Sequence, residues 1–198
     1  MGTQDRIARI ARRTKETNLA VEVNLDGRGL WRGSVGLGFL EHMLELLARH
    51  SGIDISVEGG GDLHVDAHHT VEDLGITLGR ALAKAAGEKA GMARFGQAAV
   101  PMEEALAEAV LDFCGRPYLS FQAELPAQKV GDFDAELTED FFRALAMHAG
   151  FTLHLRLLEG RNTHHIIEAL FKALARALGQ ATRRTAGSDD VLSTKGAL

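Results

Sequence analysis

A chain written twice folds as two like halves, and this one carries the mark of such a duplication. Shifting the sequence by 96 residues lays His68-His69-Thr70-Val71-Glu72 on His164-His165-Ile166-Ile167-Glu168. The match continues through Leu74 on Leu170, Leu78 on Leu174, Arg80-Ala81-Leu82 on Arg176-Ala177-Leu178 and Ala85 on Ala181. Leucine and alanine recur at helical spacing, so each copy predicts an amphipathic helix of about four to five turns that opens on its two histidines. Upstream, a shift of 98 pairs Ala48, His50 and Gly52 with Ala146, His148 and Gly150, which implies a two-residue indel in the loop between. Further back the likeness thins to Glu16 and Glu104, each eleven residues ahead of a Gly-Arg pair, Gly27-Arg28 and Gly115-Arg116.

The pattern between these landmarks predicts an α+β fold of two pseudo-symmetric ββαβα half-domains, with mixed sheets and the helices on one face. Strands are expected at 6–13 and 18–25, with Asp26-Gly27 turning after the second. A helix is expected over 38–50 and an alternating strand over 53–57, broken by Gly59-Gly60-Gly61. A short extended piece, Leu63-His64-Val65, leads to the first long helix. The second half repeats the plan with strands near 106–112 and 117–124, a helix over 137–149, a strand over 151–157 and a helix from 165. The halves divide as 1–91 and 92–187, and 188–198 forms a tail. The polar stretch from Thr185 to Asp190 reads as a flexible connection.

The 198 residues, 45% hydrophobic and 25% charged, describe an ordinary globular composition. A net charge of −5 argues against general attraction to nucleic acid or anionic membrane. One cysteine, Cys114, excludes an internal disulfide framework and a cysteine-based zinc ribbon. No apolar run approaches a bilayer's thickness. The basic N-terminus, Arg6 to Lys15, lacks a following apolar region and reads as a strand with one basic face. A cytoplasmic enzyme is the expectation.

Two adjacent histidines with a glutamate three and four residues on, repeated, point to metal binding. His68 and Glu72 lie one turn apart on a helix, and Glu72 is also three residues from His69. Imidazole and carboxylate without thiolate suit manganese, iron, zinc or nickel. Neighbouring helical side chains diverge by roughly 100°, so the paired histidines serve two ions better than one. Each ion would take one histidine from one cluster and a histidine plus glutamate from another; clusters on different subunits would then cement an oligomer. His42 on the first short helix, and Asp140 at its counterpart in the second half, are further possible ligands. His50 closes a helix, where capping competes with a functional role. Arg116 in the constrained Gly115-Arg116-Pro117-Tyr118 and Lys195 in a Ser-Thr-Lys-Gly tail suit a phosphate, with Arg94 as a further cation. Gly33-x-x-Gly36-x-Gly38 lacks a following Lys-Ser/Thr and reads as a turn into a helix.

The same residues resemble the imidazoleglycerol-phosphate dehydratase family along essentially the whole chain. The resemblance rests on Arg13-Thr14-Lys15-Glu16-Thr17, Gly38-Phe39-Leu40-Glu41-His42-Met43-Leu44, the two double-histidine motifs, Gly115-Arg116-Pro117-Tyr118 and Ser193-Thr194-Lys195-Gly196. It implies a hydro-lyase of histidine biosynthesis that converts imidazole glycerol phosphate to imidazole acetol phosphate. It further implies two Mn2+ per active centre and a homo-oligomeric shell of 24 subunits with active sites between them. By the resemblance the metal ligands are His42, His68, His69, Glu72, His164, His165 and Glu168. Phosphate is held by Arg94, Arg116, Ser193 and Lys195, with His50 as a further substrate contact, and Glu16 acts at the imidazole as acid or base. Glu72 and Glu168 are the other carboxylates able to move a carbon-bound proton. The chain departs from the family at Glu41 and Ala67, where aspartate is usual, and at Asp140, where many members place a metal-binding histidine. A dimetal hydrolase and a non-catalytic metal-linked shell protein are the rival readings; the first needs an open position for water and no preference for an imidazole ring, and the second has no need of Glu16 or the Arg94/Arg116/Lys195 set.

Overall fold

The computed structural model describes residues 6–185 and 190–195. In each half a hairpin comes first. β1 (Ile7–Arg13) pairs antiparallel with β2 (Thr17–Asn24), and β5 (Phe95–Met102) pairs with β6 (Ala105–Asp112). The registers match residue for residue: Ile7 opposite Asn24 corresponds to Phe95 opposite Asp112, both shifted by 88. A third strand follows, β3 (Trp31–Gly33) or β7 (Tyr118–Gln122), then a helix, α1 (Gly38–Ser51) or α3 (Leu137–Ala149). The last strand, β4 (Asp54–Gly61) or β10 (Thr152–Glu159), inserts between the second and third, antiparallel to one and parallel to the other. The sheet orders are therefore the same, β1-β2-β4-β3 and β5-β6-β10-β7. Each half closes with its long helix, α2 (His68–Ala86) or α4 (Thr163–Thr182).

The strand faces explain the layers. In β2, Leu19, Val21 and Val23 are buried; in β6, Ala105, Ala107, Ala109 and Leu111 are buried, while alternate residues meet solvent. The buried faces take the long helices, α2 on β1 and β2, α4 on β5 and β6. The helices also pack across the halves, α2 along α3 and α1 along α4, so one continuous core joins both copies. Gly75 sets the α2–α3 approach: a Cβ there would lie 2.9 Å from the Phe141 carbonyl oxygen.

Several expectations need correction. Each half is βββαβα rather than ββαβα, because the short β3 was too slight to register as a strand. In the second half the hairpin is β5–β6; the segment expected at 117–124 is instead the third strand, parallel to β10. Pro101 and the run of alanines hid β5, which survives at the sheet edge where a missing N–H costs little. The first-half strand does not stop at Gly59-Gly60-Gly61 but runs through it, opposite Leu19, Asn18 and Thr17. Those glycines serve close approach: a Cβ on Gly59 would sit 1.9 Å from the Asn18 carbonyl oxygen. Residues 63–65 turn rather than extend, with the Val65 N–H donating to Asp62. A short hairpin, β8 (Lys129–Val130) and β9 (Phe133–Asp134), is an insertion without a first-half counterpart. Residues 186–189 of the expected connection, and Gly196, lie outside the described residues.

Candidate metal centre

Helix α1 lies along α4, so a residue from each half meets at the N-terminal ends of two helices. His42 Nε2 stands 3.6 Å from Glu168 Oε2, and His164 Nε2 stands 3.3 Å from the same oxygen. Two ligands each about 2.1 Å from a shared ion sit roughly 3 Å apart, so this donor set fits a divalent transition metal. Glu168 is buried, and Lys172 one turn on donates to its Oε1 at 2.5 Å. Burial alone would raise its pKa, but the Lys172 ammonium, with His42 and His164, brings it below the ordinary carboxylate value.

The other short and long helices repeat the arrangement more loosely. Asp140 on α3 faces His68 on α2, with Oδ2 and Nδ1 3.6 Å apart. Asp140 thus stands to His68 as His42 stands to His164. Glu72, the counterpart of Glu168, is exposed and its side chain makes no hydrogen bond or ion pair among the described residues.

The paired histidines diverge as helix geometry requires. The His68 and His69 rings are inclined at 73°, and those of His164 and His165 at 78°. The second histidine of each pair turns to a carboxylate outside its own motif. His69 Nδ1 lies 3.1 Å from Asp62, and His165 Nδ1 lies 2.7 Å from Glu104. These bonds raise both histidine pKa values, by the Asp62 carboxylate in one case and Glu104 in the other. The His165 bond, helped by the Asn162 and Arg161 N–H groups, lowers Glu104 to about 2. With Nδ1 engaged, each ring leaves Nε2 to ligate, the arrangement in which a carboxylate orients a metal-bound histidine. Glu104 was marked in the sequence by its spacing from Gly115-Arg116; Lys172, whose counterpart in the repeat is Ile76, carried no such mark.

Glu16 occupies the β1–β2 turn, in a cleft with Asp62 and His64, and its charge is felt at His69. Arg94, Arg116, Ser193 and Lys195 line a cleft of 740 Å³ together. Arg94 holds Asp112 through Nε at 2.7 Å and reaches the Leu192 carbonyl through a second nitrogen, which ties the tail to the sheet. That cleft is remote from the His42/His164/Glu168 cluster: the Arg94 N–H bonds the Ala181 carbonyl, at the far end of α4 from His164. His50 shows no side-chain capping bond; it lies half-buried with a pKa lowered by burial and then by Lys172 and Arg176.

The family profile described as imidazoleglycerol-phosphate dehydratase matches residues 35–178. A relative of that name from Symbiobacterium thermophilum is 56% identical over 98% of this chain and 93% of its own length. The chain belongs to the imidazoleglycerol-phosphate dehydratase family. The Desulforamulus reducens member is 53% identical over 98% of this chain and 99% of its own. The crystal structure of the Staphylococcus aureus dehydratase superposes with a TM-score of 0.83 at 44% identity, covering 90% of this chain and 99% of that one. The Pyrococcus furiosus dehydratase, solved with (S)-C348, gives 0.81 at 36% identity, covering 96% and 100%.

As a dehydratase of this family, the chain is a hydro-lyase of histidine biosynthesis that eliminates water from imidazole glycerol phosphate. That sets aside the hydrolase and shell-protein readings. The departures from the family pattern also find physical places. Ala67 offers no cap to α2, and Asp66 accepts from the His68 N–H at 2.8 Å instead. Glu41 accepts from Ser34 and from the N–H groups of Val35 and Gly36, so the glycine loop is pinned to α1 as a structural turn.

Proposed function

We propose that the dehydration runs at centres built between copies of the chain, each holding two manganese ions. The observation that carries this is the separation along α4. His164 is in the first turn of a 20-residue helix and Arg94 is bonded to its last turn, roughly 25–30 Å apart at 1.5 Å per residue. A small phosphorylated imidazole spans a fraction of that distance, so its ring and phosphate ends need different subunits.

In this reading His42, His164 and Glu168 serve one ion, and His68, Glu72 and Asp140 the other. His69 and His165 offer Nε2 to clusters of neighbouring subunits, which supports a closed homo-oligomer of 24 copies. When bound, the ions supply Lewis acidity at the substrate's ring nitrogens. Glu16 moves the carbon-bound proton as acid or base, with Glu72 the next candidate, since Lys172 already occupies Glu168. Arg94, Arg116, Ser193 and Lys195 hold the phosphate, and His50 is a lesser contact. Binding energy from the remote phosphate then orients the reacting end. The copies divide as 1–91 and 92–187, with 188–198 a tail that adds Ser193 and Lys195. The site works in the cytoplasm; among the described residues no helix is long and apolar enough to cross a membrane.

The test mixes two inactive chains. His164→Ala and Arg116→Ala proteins, dissociated and reassembled together with Mn2+, regain turnover of imidazole glycerol phosphate to its ketone product. A mixture as inactive as its parents would place the whole centre in one chain.

A further inference from the structure

The two hairpin turns, identical in register, differ in what holds them. In the first, Thr17 donates its hydroxyl hydrogen to Asp73 Oδ2, and Arg12 Nε donates to Asp73 Oδ1 at 2.7 Å. Thr14 Oγ1 accepts from the N–H groups of Glu16 and Thr17, at 3.1 and 2.9 Å. Asp73 is 6% exposed and follows Glu72 directly on α2. One buried carboxylate therefore joins the residues flanking Glu16 to the helix that presents His68, His69 and Glu72. Gly61 makes the room, since a Cβ there would lie 2.9 Å from Thr17 Cγ2 and 2.4 Å from Thr70 Oγ1.

The second half lacks the whole device. The counterparts of Arg12, Thr17 and Asp73 are Val100, Ala105 and Ala169. There Glu104, the counterpart of Glu16, is bonded to His165. Glu16 makes no side-chain hydrogen bond or ion pair among the described residues. Three polar residues present together in one copy and apolar together in the other make a unit, and the unit surrounds the glutamate that is left unpaired.

We propose that Asp73 is a positioning residue for the dehydration: through Thr17 and Arg12 it clamps the β1–β2 turn and aims the unpaired Glu16 at the imidazole. The proposal rests on Glu16 being the acid or base. Misplacing a reacting group by an ångström costs on the order of a hundredfold in rate, and the clamp holds Thr17, the residue next to Glu16 in the turn of three residues between β1 and β2.

The experiment uses the assembled, Mn2+-loaded protein. Thr17→Val keeps the side chain's shape and removes the donor, Thr17→Ser keeps the donor, and Asp73→Asn weakens the acceptor. Thr17→Val and Asp73→Asn are expected to lower kcat by about ten- to a hundredfold, with KM and bound Mn2+ unchanged, while Thr17→Ser retains activity. In the metal-free protein, hydrogen exchange at the Glu16 and Thr17 amides is expected to quicken by about tenfold in Thr17→Val, with the 103–104 turn unchanged. Full kcat in Thr17→Val and Asp73→Asn, with or without a lower melting temperature, overturns the proposal, as does unchanged exchange at the turn. Glu16→Gln is assayed alongside. Full activity in that variant overturns the acid/base reading itself; an inactive Glu16→Gln beside fully active clamp variants overturns the clamp alone.

Discussion

The two halves share register, sheet order and motif, yet they have spent their carboxylates differently. In the second half the counterparts of Glu16 and Glu72 are both committed: Glu104 to His165, Glu168 to Lys172 and to the His42/His164 pair. In the first half Glu16 and Glu72 are exposed and, among the described residues, unpaired, and the buried acid, Asp73, is turned to holding the hairpin. A carboxylate tied to an ammonium or imidazole is a good orienting group and a poor proton carrier, because the bond favours its ionised form. Duplication supplied two copies of one constellation; in the proposed reading the second is the prebuilt half of a binding site, and the first holds the groups free to exchange protons.

The sharpest break of this comparison sets Glu16 against Glu104. Glu16→Gln is expected to lower kcat by about a hundred- to ten-thousandfold, the usual contribution of a positioned acid or base, without loss of bound metal. Glu104→Gln is expected to weaken Mn2+ binding by about ten- to a hundredfold, as removal of an outer-shell partner does. Its turnover should return at saturating Mn2+. Metal titration and steady-state kinetics on both variants decide it; two variants with one phenotype would dissolve the distinction.

A smaller effect separates Lys172 from its counterpart Ile76. Lys172→Met leaves Glu168 buried without its ammonium. Removing one partner of a buried pair costs about 3 kcal/mol, lowering the thermal midpoint of the metal-free protein by about 6–10 °C at fixed protein concentration. Ile76→Lys places the same charge one turn from the exposed Glu72, where an ion pair is worth about 0–1 kcal/mol, and the new chain must also leave a nearly buried position. A gain in stability from Ile76→Lys equal to the loss from Lys172→Met would mean that the two glutamates are not differently buried.

How far the sequence foretold this follows from the kind of force involved. The long helices and their histidines were legible because helical periodicity is a local property, and the helix expected at about 137–149 is α3. The divergence of His68 from His69 followed from the same geometry. β3 and β5 were not legible: a three-residue strand has no period, and an edge strand of alanine and proline carries little β signal. Gly59-Gly60-Gly61 read as a break because glycine has both uses, and only the facing backbone tells close approach from a turn. Asp62 and Asp73 join these clusters through contacts 7 and 61 residues away in sequence, which no local pattern records, and the repeat marked Glu104 without its partner His165. Lys172 stands one turn from Glu168, but the repeat fails at several neighbouring positions too, so its role was no more legible than theirs.

The gentlest probe of the committed half is pH. Glu104 titrates at about 2 in the fold, below the ordinary glutamate value near 4.3, so its pairing contributes fully above about 4.3 and is lost as pH falls through its folded value. His165 is shifted the other way, raised by the Glu104 bond. Its contribution is full below the ordinary histidine value near 6.5 and is lost as pH rises through the raised one. In metal-free protein the pair is therefore intact between about pH 4.3 and 6.5, with one member failing on each side. Both groups are only half-buried in the single chain, so the readout is site-resolved NMR rather than unfolding. The His165 ring is expected to release its proton at higher pH in the native protein than in Glu104→Gln. Ile76→Lys, which touches only the uncommitted half, should leave that titration where it was. Equal His165 titration in native and Glu104→Gln proteins would show that the short bond does not hold the imidazole, and the second half would then be no more committed than the first.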